Sequence, residues 1–215
     1  MIMTDKFGAM DVPSAKHDNF SVLFHHRQQD WHLRMMLAAE FFAGWSKCLS
    51  RKIGSVIVRD KTIIATGYNG PPSGVPECHT KARIEQILSA NPHLKGTAEG
   101  ERLRLSDGTT CPRQLLGYKS GQGLELCTAG HAESNAVASA SREGITIKGA
   151  DMYCWCPLPC QECSKMIIRS GLARVFYIAL GKDYDPNSRW MLLNAGVSLI
   201  GITKELIEKY RQEQQ

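Results

Sequence analysis

The chain has 215 residues, 43% of them hydrophobic and 22% charged, enough to bury one substantial core and unlike a disordered polymer. Its formal charge of +5 is scattered, with no run of five or six Lys/Arg; this suits a small phosphorylated ligand, or simply a solvated surface, better than a duplex-binding face. The start of the chain (Met1 to Lys6) has no basic stretch followed by an apolar run, and no segment approaches about 18 continuous apolar residues, so secretion and membrane spanning are not expected. A cytoplasmic location follows as the expectation, and its eight cysteines should stay reduced, which favours metal ligation over a disulfide framework.

Residues 1–27 are polar, aperiodic and contain Gly8 and Pro13, the pattern of a mobile arm ahead of one domain over 28–215. Asp30 can cap a helix in which Trp31, Met35, Ala38, Phe42 and Trp45 recur at spacings of four and three, predicting one buried face. Ser55–Arg59 and Thr62–Tyr68 are β-branched runs separated by Asp60-Lys61 and read as a hairpin, closed by the turn residues Gly67-Tyr68-Asn69-Gly70-Pro71-Pro72. From about 73 to 127 the pattern loosens into an insertion. A short helix over Lys81–Ala90 is expected, the rest being broken by Gly and Pro, and the cysteines there would have to pin it.

Regular alternation then resumes. Helices are predicted over Ala132–Arg142 and Cys160–Ser170, ending at Gly144 and Gly171, with strands at Asp151–Trp155 and Arg174–Leu180. Ser188 is expected to cap a helix that stops at Gly196, followed by a strand over Val197–Ile200 and a polar helix begun by Thr203. Right-handed crossovers would make the last strands parallel, with helices on both faces of the sheet.

His131-Ala132-Glu133 and Pro159-Cys160-Gln161-Glu162-Cys163 together match the His-x-Glu and Pro-Cys-x-x-Cys pattern of zinc deaminases. A catalytic zinc takes three protein ligands and keeps a fourth position for water, a requirement met by His131, Cys160 and Cys163. Two cysteines three apart on a first helical turn face one side, where the positive helix end favours thiolates. Glu133 is left to act as the proton carrier, returning protons to N3 of a cytosine ring and to the departing amine at C4. Either motif alone is weak, since a Cys-x-x-Cys pair is also a redox or zinc-knuckle element. A rival reading joins Cys154, Cys156, Cys160 and Cys163 in one structural four-cysteine site.

The chain resembles the deoxycytidylate (dCMP) deaminases of the cytidine deaminase superfamily from about Trp31 to Ile200. The resemblance rests on Ser46-Lys47-Cys48, Lys52-Ile53-Gly54-Ser55-Val56-Ile57-Val58, Gly67-Tyr68-Asn69-Gly70-Pro71, His131-Ala132-Glu133-Ser134-Asn135-Ala136 and Lys165-Met166-Ile167-Ile168-Arg169-Ser170-Gly171. It implies a three-layer α/β/α fold around a mixed five-stranded sheet with parallel C-terminal strands. It implies hydrolysis of dCMP to dUMP and ammonia, supplying dUMP for thymidylate synthesis, with catalytic Zn2+.

The same likeness implies that Asn69 contacts the deoxyribose, that the Ala132 backbone helps hold the pyrimidine, and that Tyr184 lies over the substrate. Ser50 and Arg51 are the candidates for the phosphate contact. Regulation by dCTP and dTTP, with Mg2+ beside an allosteric dCTP, and assembly into a homohexamer are further implications. Relatives with an additional structural zinc make Cys48 and Cys78 ligands of a second zinc, with Cys111 and Cys127 as the remaining pair; His79 replacing one of them, or four ordinary buried cysteines, are the alternatives.

The segment Met152-Tyr153-Cys154-Trp155-Cys156-Pro157-Leu158-Pro159-Cys160 is one residue longer than the family's usual approach to its first zinc cysteine. Trp and Cys stand there where Thr is frequent, which leaves a modified dCMP, or another free nucleoside or nucleotide, open as substrate. A tRNA or single-stranded nucleic-acid deaminase is the other enzymatic alternative, disfavoured because Glu205, Glu208 and Glu213 interrupt the basic residues of the last helix. A noncatalytic zinc-stabilised module would have no need of a carboxylate at Glu133.

Overall fold

In the computed structural model, residues 26–119, 121–181 and 185–214 are described. The arm expected over 1–27 therefore lies outside them except for its last two residues, which are already helical. Helix α1 (His26–Ala43) holds Asp30 within its body, not at its start. Of the expected face, Met35 is buried and Trp31, Ala38 and Phe42 pack partly buried on the same core, but the face is wider, with His32, Leu33, Met36, Ala39 and Ala43 also buried, and Trp45, beyond the helix end, is 52% exposed. The stripe was disguised because it includes a histidine. The His32 ring tolerates burial by stacking on Phe176 and placing Nδ1 2.7 Å from the Tyr153 hydroxyl.

Strands β1 (Gly54–Arg59) and β2 (Thr62–Tyr68) form the predicted hairpin. Asp60 and Lys61 both take positive φ, 49° and 59°, the backbone sense that matches strand twist in a two-residue connection. The remaining strands are β3 (Asp151–Cys154), β4 (Arg174–Ile178) and β5 (Ser198–Ile202), in the sheet order β2-β1-β3-β4-β5. β1 is antiparallel to both β2 and β3, and β3, β4 and β5 are parallel, so the mixed sheet expected from the alternation is present.

The insertion is more ordered than its breakers suggest. Helix α2 (Lys81–Ala90) falls where predicted, capped by the Thr80 side chain, and is followed by α3 (Ala98–Arg104), capped by Thr97, and the single turn α4 (Pro112–Leu115). Glycines in this region act as punctuation between short helices, several at positive φ.

Helices α5 (Ala132–Arg142), α6 (Gln161–Arg169), α7 (Pro186–Asn194) and α8 (Lys204–Glu213) complete the chain. Alternation along the strands sorts the core into two layers. Ile57, Met152, Cys154, Val175 and Tyr177 pack with Ala136 and Ala140 of α5, Ile167 of α6 and Leu192 of α7. Val56, Val58, Tyr153, Phe176 and Ile178 point the other way, onto Leu33, Met36 and Ala39 of α1 and Ile207 and Tyr210 of α8. This is the three-layer α/β/α arrangement.

The cap of α7 is Asp185 and not Ser188, which lies buried in the first turn. Asp185 accepts from Asn187 N–H and also from Gln161 N–H at the start of α6, so one carboxylate serves two helix starts. Among the described residues no helix is long and apolar enough to cross a membrane.

Candidate metal centre

Two helix starts converge on one point. His131 is the N-cap residue of α5 in extended conformation, so its side chain projects from the helix end, and Cys160 is the N-cap of α6 with Cys163 one turn further on. His131 Nδ1 lies 3.3 Å from Cys160 Sγ and 3.3 Å from Cys163 Sγ. Tetrahedral zinc, with bonds of about 2.0 Å to nitrogen and 2.3 Å to sulfur, would place such donors roughly 3.5 Å apart, so the three side chains fit the ion with little movement.

The electrostatics point the same way. A hydrogen bond from Cys163 and another from His131 push the Cys160 thiol down, while the same contact with Cys160 and burial push Cys163 up. The pair alone thus keeps one proton, and a cation between the sulfurs is what would allow both to ionise. His131 is raised, chiefly by its hydrogen bond with Cys160.

The second residue of α5, Glu133, is 4% exposed, and its carboxyl is raised above the usual carboxylate range by burial. Its Oε1 accepts from the Cys156 thiol, 3.6 Å away. The ligand atoms of Glu133, Cys154 and Cys156 lie within 4.8 Å of one another as a set separate from His131, Cys160 and Cys163. The sulfurs of Cys154 and Cys156 therefore gather on the carboxylate side, which counts against the single four-cysteine site. The Glu133–Cys156 contact was missed in the sequence, which carries no local signal for a pairing between residues 23 positions apart.

The Gly-Tyr-Asn-Gly element braces this site. Gly70 and Gly130 exchange backbone hydrogen bonds of 3.2 and 2.8 Å, fixing the approach to His131, and Asn135 Nδ2 donates to the Tyr68 carbonyl at 2.8 Å. Gly67 packs directly under α5: a Cβ there would stand 2.2 Å from the Ala132 carbonyl oxygen. Ala132 is fully buried and opens α5, so its N–H is among those without an intrahelical partner.

Asn69 is 7% exposed and holds the loop before β1, accepting from Ile53 N–H and donating to the Arg51 carbonyl, both at 2.8 Å. Ser50 and Arg51 are exposed in that loop. Tyr184 lies outside the described residues.

Cys48, Cys78, Cys111 and Cys127 come from four separate loops or helix ends, and the first, third and fourth each act on Cys78, although among the described residues the four sulfurs do not close into a set within 4.8 Å of one another. Cys78 is pushed up to about 11, first by burial and then by Cys127, Cys111 and Cys48 in turn. His79 is turned towards Glu77, its Nδ1 3.3 Å from a carboxylate oxygen.

Comparison with known proteins agrees with this geometry. The model of the cytidine and deoxycytidylate deaminase zinc-binding region matches residues 29–179, which include both halves of the site. A deoxycytidylate deaminase of Enterobacteria phage T2 is 36% identical over 166 residues, covering 74% of this chain and 85% of that protein. Its counterpart in Enterobacteria phage T4 is 34% identical over 174 residues, covering 78% and 88%. The crystal structure of the dCMP deaminase from cyanophage S-TIM5 in complex with dCMP and dUMP shares the fold, with a TM-score of 0.55 at 24% identity over 83% of this chain and 99% of that one. On sequence and site together, the chain belongs to the cytidine and deoxycytidylate deaminase family.

Proposed function

We propose that this protein hydrolyses dCMP to dUMP and ammonia. The observation that carries the reading is the triad of His131, Cys160 and Cys163 with the buried carboxyl of Glu133 beside it on the same helix start. His131, Cys160 and Cys163 would hold zinc. When bound, the ion supplies an activated water near neutral pH.

The chain's own groups do the rest. Burial keeps Glu133 ready to hold a proton, so it can take one, deliver it to N3 of the cytosine ring and supply another to the amine leaving C4. The N–H of Ala132 is available to orient the pyrimidine. Asn69, by bracing the loop that carries Ser50 and Arg51, would position those two for the phosphate and itself face the sugar.

Ammonia release from dCMP, dCTP, deoxycytidine, cytidine and a cytosine oligonucleotide tests the substrate. dCMP is expected to be turned over fastest, and preference for the oligonucleotide would refute the assignment. Glu133→Ala is expected to lower turnover at least about 100-fold while zinc is retained; wild-type turnover would refute its role.

A second reading has its own observation. The closeness of Cys127, Cys111 and Cys48 to Cys78, felt as their effect on its thiol, supports a structural zinc that ties the insertion to the loop before β1. Purified protein would then carry two zinc ions per chain and Cys78→Ser one. A single zinc in the parent protein would remove this site.

A further inference from the structure

We infer that Cys156 is a positioning residue for the proton-carrying carboxylate, its thiol fixing one oxygen of Glu133 so that the other is free to serve the reacting atoms. The inference rests on the role of Glu133 proposed above. A carboxylate at a helix start can rotate about its last bond, and a proton carrier works only when the accepting oxygen is already aimed. Cys156 Sγ lies 3.6 Å from Glu133 Oε1, within reach of an S–H donor, and both residues are buried.

The thiol itself is held still. Trp155 N–H donates to the Gly54 carbonyl and Ile178 N–H to the Cys156 carbonyl, both at 2.8 Å, so the backbone carrying the sulfur is clamped between β1 and β4. Behind it, Cys154 is fully buried with its sulfur 3.8 Å from Ser55 Oγ. Cys154 Sγ also lies within 4.8 Å of both Cys156 Sγ and the nearest Glu133 oxygen. Ser55 and Cys154 sit opposite each other in the β1–β3 register, so the polar line from Ser55 through the two sulfurs to Glu133 is built into the sheet.

The Cys156 thiol meets both Cys154 and Glu133. Its sulfur is grouped with Glu133, not with the three metal-binding side chains, and a purely space-filling residue at this position would not need a donor aimed at a buried carboxylate.

The test compares the full-length parent with Cys156→Ala and Cys156→Ser, with Glu133→Gln alongside. Cys156→Ala is expected to lower kcat on dCMP about tenfold with KM within about twofold, at unchanged zinc content. Cys156→Ser, which keeps a donor, is expected to recover to within about threefold of the parent. The bond can also be seen without turnover: the infrared S–H stretch that vanishes in Cys156→Ala should shift in Glu133→Gln.

Parent-like kcat in Cys156→Ala, equal impairment of the serine and alanine variants, or a kcat loss tracked by zinc loss would overturn the positioning role. If Glu133→Gln turns over like the parent, the role of Glu133 fails and takes this inference with it. An inactive Glu133→Gln beside an unimpaired Cys156→Ala sinks only the role of Cys156.

Discussion

Replacing Gly67 by alanine should misplace α5, the helix that carries His131 and Glu133. The added Cβ would sit 2.2 Å from the Ala132 carbonyl oxygen and 2.4 Å from Ala136 N, whereas side-chain carbons essentially never come closer than 3.0 Å. Both obstacles are backbone, so neither can rotate aside, and α5 must retreat by about 0.8 Å or the hairpin must bend. Overpacking of this kind typically costs about 1–3 kcal/mol. His131 and Glu133 ride on the same turn, and a misplacement near 1 Å lowers turnover by up to about 100-fold.

Gly54→Ala is the matched control. Its Cβ would meet the Ala39 carbonyl at 2.0 Å and Ala43 N at 2.4 Å, displacing α1, which carries no candidate metal ligand. Urea unfolding, zinc affinity by chelator competition and dCMP turnover per folded molecule should be measured on both. Similar stability losses are expected, with weakened zinc binding and turnover confined to Gly67→Ala. Parent-like stability and turnover in Gly67→Ala, or equal loss of turnover in Gly54→Ala, would refute the reasoning.

Three further outcomes follow from the packing. His32 is held down to about 4, first by burial and then by the Arg174 guanidinium, with Asp151 opposing. The unfolded chain therefore binds more protons at this site below pH 6.5, and stability should fall by about 2–3 kcal/mol between pH 6.5 and 4 and then level off; an unchanged pH dependence in His32→Phe would contradict this. Asn69→Ala leaves the Ile53 N–H and the Arg51 carbonyl without their partner and should destabilise by about 1–3 kcal/mol in urea; no loss of stability would mean the loop does not depend on that brace. Asp185→Ala removes a cap shared by α6 and α7 and should cost about 1–2 kcal/mol, read as a lowered melting temperature; an unshifted transition would show that solvent replaces it.

Much of the architecture was legible without coordinates because its signals are local. Thr203 caps the helix it precedes, Gly144 and Gly171 follow helix ends at positive φ, and Asp60-Lys61 makes the hairpin turn. Each depends on neighbours a few residues away, so spacing and residue type suffice. The convergence of His131, Cys160 and Cys163 was readable for the same reason, since both motifs mark helix starts.

Tertiary structure alone decided what residues far apart in the chain do to each other. It widened the buried face of α1 to take in His32, because the partner that makes His32 acceptable there, Tyr153, comes from a strand far along the chain. It moved the α7 cap to Asp185, which also meets Gln161 across two elements, and it brought together cysteines from four parts of the insertion and its flanks. It gathered Cys154 and Cys156 with Glu133 and apart from His131, Cys160 and Cys163, an outcome set by the register of β1 against β3 and by the backbone clamp on Trp155 and Cys156. Sequence spacing names the groups able to do chemistry; which of them meet in the interior depends on how strands align and which side of each strand faces the helices.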